Sequence, residues 1–167
     1  MKAVGRMDSK IENEEDILME IQCSVRGEIL PIMRNFVASV AQKMGFSRDE
    51  ISKIEMSVDE ACSNVLRHAY FINGASGQTP KHQDPQKGHM KICVRAASDH
   101  LQITICDKGL GIKGKPYKGV ENIDEFLNKC HGLGTYIIHK FMDKVVIEYP
   151  EGKGTTVSMI KYLHSQT

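Results

Sequence analysis

Ser47 to Tyr70 is the stretch that most narrows what this chain can become. Ser47-Arg-Asp-Glu50 has the spacing of a capping box. In it the serine hydroxyl and the glutamate carboxylate each satisfy a backbone N–H that the first helical turn leaves over. Ile51, Ile54, Val58, Ala61, Cys62, Val65 and Leu66 then recur at the three- and four-residue steps of one apolar stripe. The pattern predicts a helix from about Arg48 to about Tyr70 or Phe71. On its other faces Glu60, Asn64 and His68 repeat every four residues, a spacing that stacks side chains along one side of a helix.

The remaining segments read as follows. Ile17 to Val25 alternates loosely, with Ile17, Met19, Ile21 and Cys23 against Leu18, Glu20, Gln22 and Ser24, as a half-buried strand does. Ile29 to Met44 carries Ile29, Ile32, Met33, Phe36, Val37, Val40 and Met44 at helical spacing, and Gly45 is its stop signal. Met90 to Ala97 and Leu101 to Cys106 read as strands joined by a tight turn at Ser98-Asp99-His100. Thr135 to Met142 reads as a helix opening from glycines. Lys144 to Tyr149 and Thr155 to Leu163 read as two closing strands. Residues 1–16 are polar and acidic and are expected to form a tail. Residues 73–89, rich in Gly and Pro, read as a long loop, and 108–131, with a short amphipathic piece around Val120 to Leu127, as a flexible lid. No internal repeat appears, so residues 17–167 are expected to be one domain.

Composition excludes several classes. The 167 residues are 41% apolar and 26% charged, an ordinary globular balance. A net charge of +1 gives no electrostatic pull toward nucleic acid or an anionic membrane. With 6% aromatic residues and no Trp, a base-stacking platform is not expected either. No run approaches the roughly 20 apolar residues that span a bilayer, and the N-terminus has no apolar signal core, so a cytoplasmic protein is expected. Cys23, Cys62, Cys93, Cys106 and Cys130 form no CxxC pair and read as small apolar fillers in a reducing compartment. His82 and His89 lack metal-ligand spacing.

Four signals carry chemistry, and each has a plainer explanation beside it. A carboxylate at Glu60 can orient a hydroxyl or water, while the Asn64 amide oxygen helps seat magnesium beside nucleotide phosphates; a solvated helix face also explains the pair. Asp107-Lys-Gly109-Leu-Gly111-Ile112 follows a strand. The acid can accept from an exocyclic amine such as that of adenine, and the glycines allow close approach to a flat ring, though a tight turn accounts for the same residues. Gly132-Leu133-Gly134-Thr135 opens a helix whose free N–H groups favour phosphate, with Lys129 and His131 adding cationic or hydrogen-bonding character; a simple helix start is the alternative. In Gly154-Thr155-Thr156 a hydroxyl can reach a base through water, or serve only as a good strand residue. Walker A and dinucleotide fingerprints are both absent. The four signals in this order suggest a nucleotide site.

The chain resembles the Bergerat-fold (GHKL) ATPases and, among them, the small bacterial anti-sigma factor serine kinases. Val58-Asp-Glu60-Ala-Cys-Ser-Asn64-Val-Leu-Arg-His68-Ala-Tyr70 is similar to their first ATP motif, Asp107 to Ile112 to the second, and His131-Gly132-Leu-Gly134-Thr-Tyr-Ile-Ile to the third. Phe141-Met-Asp143-Lys-Val and Gly154-Thr155-Thr156-Val-Ser-Met resemble the closing segment. The resemblance runs over about residues 17–163. It implies an α+β, two-layer α/β sandwich, with a mixed, mainly antiparallel sheet on one side and helices on the other. By position it implies Glu60 as general base, Asn64 as magnesium ligand and Asp107 as adenine acceptor. Gly109 and Gly111 would shape the base pocket, Gly132 and Gly134 the phosphate turn, and Thr156 the water contact at the base. It further implies an ATP-dependent serine/threonine kinase with Mg2+ and ATP/ADP, a STAS-domain anti-anti-sigma substrate, a sigma factor as second partner, and a homodimer. His131 stands where relatives carry glycine or serine, and Lys144 where they often carry an acid.

A second reading is a nucleotide-gated binding module in which ATP or ADP orders residues 108–131 to present or hide a partner surface. The catalytic domain of a sensor histidine kinase fits less well, because residues 1–16 are too short and polar to supply a helix pair with a phosphoacceptor histidine.

Overall fold

The computed structural model describes residues 16–66, 89–107, 133–148 and 154–164. Strand β1 is Ile17–Ser24, followed by a short turn of 3-10 helix, Gly27–Ile29, and helix α1, Leu30–Met44. Helix α2 is Arg48–Asn64, β2 is His89–Ala96 and β3 is His100–Asp107. Helix α3 is Leu133–Phe141, β4 is Lys144–Glu148 and β5 is Thr156–Tyr162. The five strands lie in the order β1-β2-β3-β5-β4, and all four pairings are antiparallel.

Register explains the layer structure. Ile21, Ile92, Ile105, Val157 and Ile147 line up across all five strands. Met19, Val94, Ile103, Met159 and Val145 form the next row. Side chains two residues apart share a face of a strand, so both rows point the same way. The three helices cover that face, and Met33, Val37, Ala41, Ile54, Val58, Ala61 and Ile138 close the core against it. Helix α2 is the middle helix, in contact with α1 on one side and α3 on the other. The opposite face carries mainly polar groups, among them Glu20, Lys91, Gln102, Thr104 and Ser158, with hydrogen bonds from Lys91 to Glu20 and from Gln102 to Ser158. This is the expected α+β sandwich.

The start of α2 is fixed. The Glu50 carboxylate accepts from the Ser47 backbone N–H at 2.8 Å, and the Glu50 N–H donates to the Ser47 hydroxyl at 3.3 Å, so the capping box is complete. Glu50 also faces His164 at 3.6 Å, beyond the end of β5. At the other end Cys62 is buried and lies near Cys23, which pairs through Met90 with Asp107. Burial, with the nearby Asp59 and Cys23, pushes the Cys62 thiol up to about 12, and burial pushes the Cys93 thiol up to about 11. Cys62 lies in the core, Cys93 lies on the opposite face beside Glu20, and Cys23, Cys62, Cys93 and Cys106 are all free. Cys130 lies outside the described residues.

Three differences from the sequence reading are local, and one burial was not read from it. Ile32 is 56% exposed, because the buried stripe of α1 runs through Met33, Val37 and Ala41 and leaves Ile32 one step outside it. His89 is the first residue of β2 rather than part of a loop. Asp107 is the last residue of β3, not a residue beyond it. Lys161 is buried on the helix side of β5, in phase with Val157 and Met159, and is held by Asp143 at 2.9 Å. Asp143 accepts a second bond from the Tyr162 N–H at 2.8 Å. Gly45, as expected, closes α1 in the left-handed region (φ 92°). The far end of the helix expected to reach Tyr70, the 73–89 loop and the 108–131 lid lie outside the described residues. Among those described, no helix is long and apolar enough to cross a membrane.

Two stability measurements follow. Ser47→Ala removes one arm of the capping box and should cost about 1 kcal/mol in urea unfolding. Burial acts to raise the Asp143 carboxyl, but Lys161 and the Tyr162 N–H outweigh it and hold it below the ordinary 3.8. A carboxyl lowered on folding adds stability above its unfolded value and loses it as pH falls through the folded value. Asp143→Asn should therefore cost about 2 kcal/mol at pH 7, with the gap from wild type closing below about pH 4. A gap independent of pH would show that the charge at Asp143 does not contribute.

Candidate functional site

Two adjacent acids on α2 face different neighbours. Asp59 points toward α1, where Arg34 donates to its carboxylate at 2.8 Å. Glu60 points toward α3. The difference is one residue, or about 100° around a helix of 3.6 residues per turn, and α2 lies between both partners. Asn64 follows Glu60 by one turn on the same side, and both side chains are half-buried.

The first turn of α3 lies against Glu60. A side chain on Gly134 would overlap the Glu60 carboxylate oxygen Oε2 and come within 3.0 Å of Cδ. Glycine at this place allows the helix start to approach the carboxylate. Leu133 opens α3 and Thr135 follows Gly134 within it, half-buried.

The second half of the site is at the sheet's end. Asp107 is in phase with Leu101, Ile103 and Ile105, so its carboxylate points to the helix side and is only 4% exposed. A buried carboxylate is costly unless hydrogen bonds hold it. Its Oδ2 accepts from the Thr155 N–H at 3.1 Å, and the Asp107 N–H donates to the Thr155 carbonyl at 3.0 Å. Gly154 makes this possible. Its φ is +83°, a left-handed conformation that side chains disfavour, and a Cβ there would collide with the Asp107 carbonyl and lie 2.9 Å from Oδ1. Cys62 near Cys23, in the row of Met90 and Asp107, puts the C-terminal end of α2 at this same end of the sheet.

Thr156 does not join this group. It is in phase with Ser158 and Ile160, and its hydroxyl donates to the Cys106 sulfur at 3.7 Å on the opposite face. Thr155, one residue earlier, is the threonine bonded to Asp107. A depression of about 240 Å3 at this end of the sheet is lined by Glu20, Gln22, His89, Met90, Lys91, Cys106 and Asp107. Of the other expected residues, His68, Gly109, Gly111, Ile112, Lys129, His131 and Gly132 lie outside the described residues. Glu60 and Gly134 are brought together at the α2–α3 contact, Asn64 follows Glu60 one turn on, and Asp107 stands at the sheet end on the helix side.

Gly154→Ala tests the sheet end. It must strain a left-handed residue and displace the Asp107 backbone, and should lower stability by about 2 kcal/mol or more by urea unfolding. An unchanged midpoint would mean the turn relaxes freely.

Comparison with known proteins gives this geometry its context. The sequence model of the family described as histidine kinase-like ATPase domain matches residues 24–161. A serine-protein kinase RsbW of Bacillus pumilus is 29% identical over 161 residues, covering 92% of this chain and 91% of that protein. RsbW of Bacillus licheniformis is 30% identical over 148 residues, covering 89% and 87%. RsbW of Bacillus cereus is 30% identical over 158 residues, covering 89% and 86%. The crystal structure of the RsbU and RsbW domains of a Mycobacterium tuberculosis protein shares the fold with a TM-score of 0.56 at 15% identity, over 87% of this chain and 32% of that longer one. The chain belongs to the histidine kinase-like ATPase domain family and, within it, to the anti-sigma serine-protein kinase branch.

Proposed function

We propose that the protein transfers the terminal phosphate of ATP to a serine hydroxyl on a STAS-domain anti-anti-sigma partner, and that it regulates transcription by also binding a sigma factor, as a homodimer. The observation that carries the nucleotide site is Asp107. An acid buried at a core position, bonded to the Thr155 N–H and facing the helix layer, is of the kind that accepts from the exocyclic amine of a base. Such a bond reads the base because a buried acceptor left without its donor is costly. Thr155, rather than Thr156, is the neighbour placed to assist at the base.

Glu60 is the general base. It takes the proton of the serine hydroxyl as the oxygen–phosphorus bond forms and the bond from the terminal phosphorus to the bridging oxygen of ADP breaks. Asn64, one turn on, offers a hard amide oxygen, the donor type magnesium takes when phosphates and water complete its shell. Magnesium, when bound, neutralises charge on the phosphate oxygens. The N–H groups at the start of α3 suit the same phosphates. Gly109, Gly111 and Ile112 around the base, and Lys129, His131 and Gly132 before α3, complete the assignment by resemblance, with His68 one turn beyond Asn64.

Incubation with Mg-ATP and STAS proteins of the same genome tests the reading. Phosphoserine on one of them is the expected result. ATP binding with no transfer to any of them would favour the nucleotide-gated binding module. Glu60→Ala should lower transfer by about 10²-fold or more while calorimetric affinity for ATP stays within about threefold. Asp107→Asn should weaken ATP and ADP alike by at least about tenfold, the weight of a hydrogen bond to a charged group. Equal turnover by the first variant removes Glu60 from its role, and unchanged affinity in the second does the same for Asp107.

A further inference from the structure

Among the described residues the glycines with positive φ are Gly45 and Gly154. Gly134 is not one of them; it sits in the first turn of α3 with backbone angles open to any residue. Its lack of a side chain therefore has a cause outside its own backbone. That cause is Glu60: a Cβ on Gly134 would overlap Oε2 and lie 3.0 Å from Cδ, yet stand at an ordinary 3.6 Å from the Glu60 Cβ. Only the far end of the glutamate is in the way. The helix start thus acts as a stop against which the carboxylate rests, and the stop's position sets how far the carboxylate reaches.

We propose that Gly134 is a positioning residue for Glu60, acting on the carboxylate and not on the nucleotide; this rests on the kinase reading given above. A methyl group at this place turns the end of Glu60 aside without needing the fold to move, since a flexible carboxylate is what must yield. A shift of about 1 Å in a reacting group costs on the order of 10²-fold in rate. The nearest atoms that the methyl group meets belong to Glu60, not to Asn64 or Asp107.

The test is a double-mutant cycle on the full chain with Mg-ATP and its STAS substrate. Gly134→Ala should lower kcat by about 10²-fold and leave KM for ATP within about twofold. In a Glu60→Asp background, whose shorter side chain withdraws the overlapping atoms, adding Gly134→Ala should change the residual rate by less than about twofold. Thermal melting supplies a second cycle: Gly134→Ala should lower Tm by about 3 °C beside the native glutamate and leave it unchanged or raised in a Glu60→Ala background, where nothing opposes alanine's helix preference. A raised KM with unchanged kcat would overturn the proposal and assign Gly134 to the phosphate turn. Additive losses in either cycle would overturn it as well. A wild-type protein that binds ATP but phosphorylates nothing sinks the kinase reading instead, and the melting cycle then still decides whether Gly134 holds the carboxylate.

Discussion

The hydrogen bond from the Thr155 N–H to the Asp107 carboxylate is the constraint on which the rest turns. An acid in the phase of Leu101, Ile103 and Ile105 occupies a place that packing would give to a branched aliphatic. Taking a carboxylate out of water costs several kcal/mol unless donors meet it. The donor comes from the backbone leading into β5, and the reciprocal bond from the Asp107 N–H to the Thr155 carbonyl locks the two segments together. Gly154 has to be left-handed and bare for that approach. The end of the sheet and the candidate site acid are one object, so neither can drift without the other.

Helix α2 supplies the second half of the site with the same economy of motion. Its start is held by Ser47 and Glu50, and Ala61, Cys62 and Val65 are buried toward its other end. Because α2 lies between α1 and α3, consecutive acids are divided between neighbours: Arg34 takes Asp59, and the start of α3 meets Glu60. Groups mounted on a helix packed between two others are held more closely than groups on a loop. This placement is what lets a carboxylate and an amide, ordinary residues on a helix surface, become candidates for chemistry.

The parts legible in the sequence were those with local signals. Ser47 and Glu50 announced α2, Gly45 closed α1, and the alternation of Leu101, Ile103 and Ile105 gave β3. The choice between Thr155 and Thr156 turned on strand phase. A slip of one residue exchanges the faces of a strand, and Val157 and Met159 already fixed Thr156 as outward. The Lys161–Asp143 pair had a conflicting signal: alternation said inward, residue type said outward. Its resolution came from an acid on a separate turn, which no local pattern displays. The contact between Gly134 and Glu60 joins positions 74 residues apart by subtraction (134 − 60), and only the packing of α3 on α2 brings them together.

Stability and recognition occupy opposite ends of the same layer. Toward the start of α2 every notable polar group is matched: Glu50 with Ser47, Lys161 with Asp143, Asp143 with the Tyr162 N–H. Toward its far end local preference is broken three times, by an acid in a core row, by a left-handed glycine, and by a glycine inside a helix, where alanine is better by up to about 1 kcal/mol. Sequences that fold well agree with themselves at each level, and departures gather where another demand competes. Three departures at one end, all turned toward the same side of the sheet, point to a single demand rather than three accidents, and the nucleotide proposed above, with its need for an acceptor, close backbone approach and a positioned carboxylate, is one demand that would make all three at once.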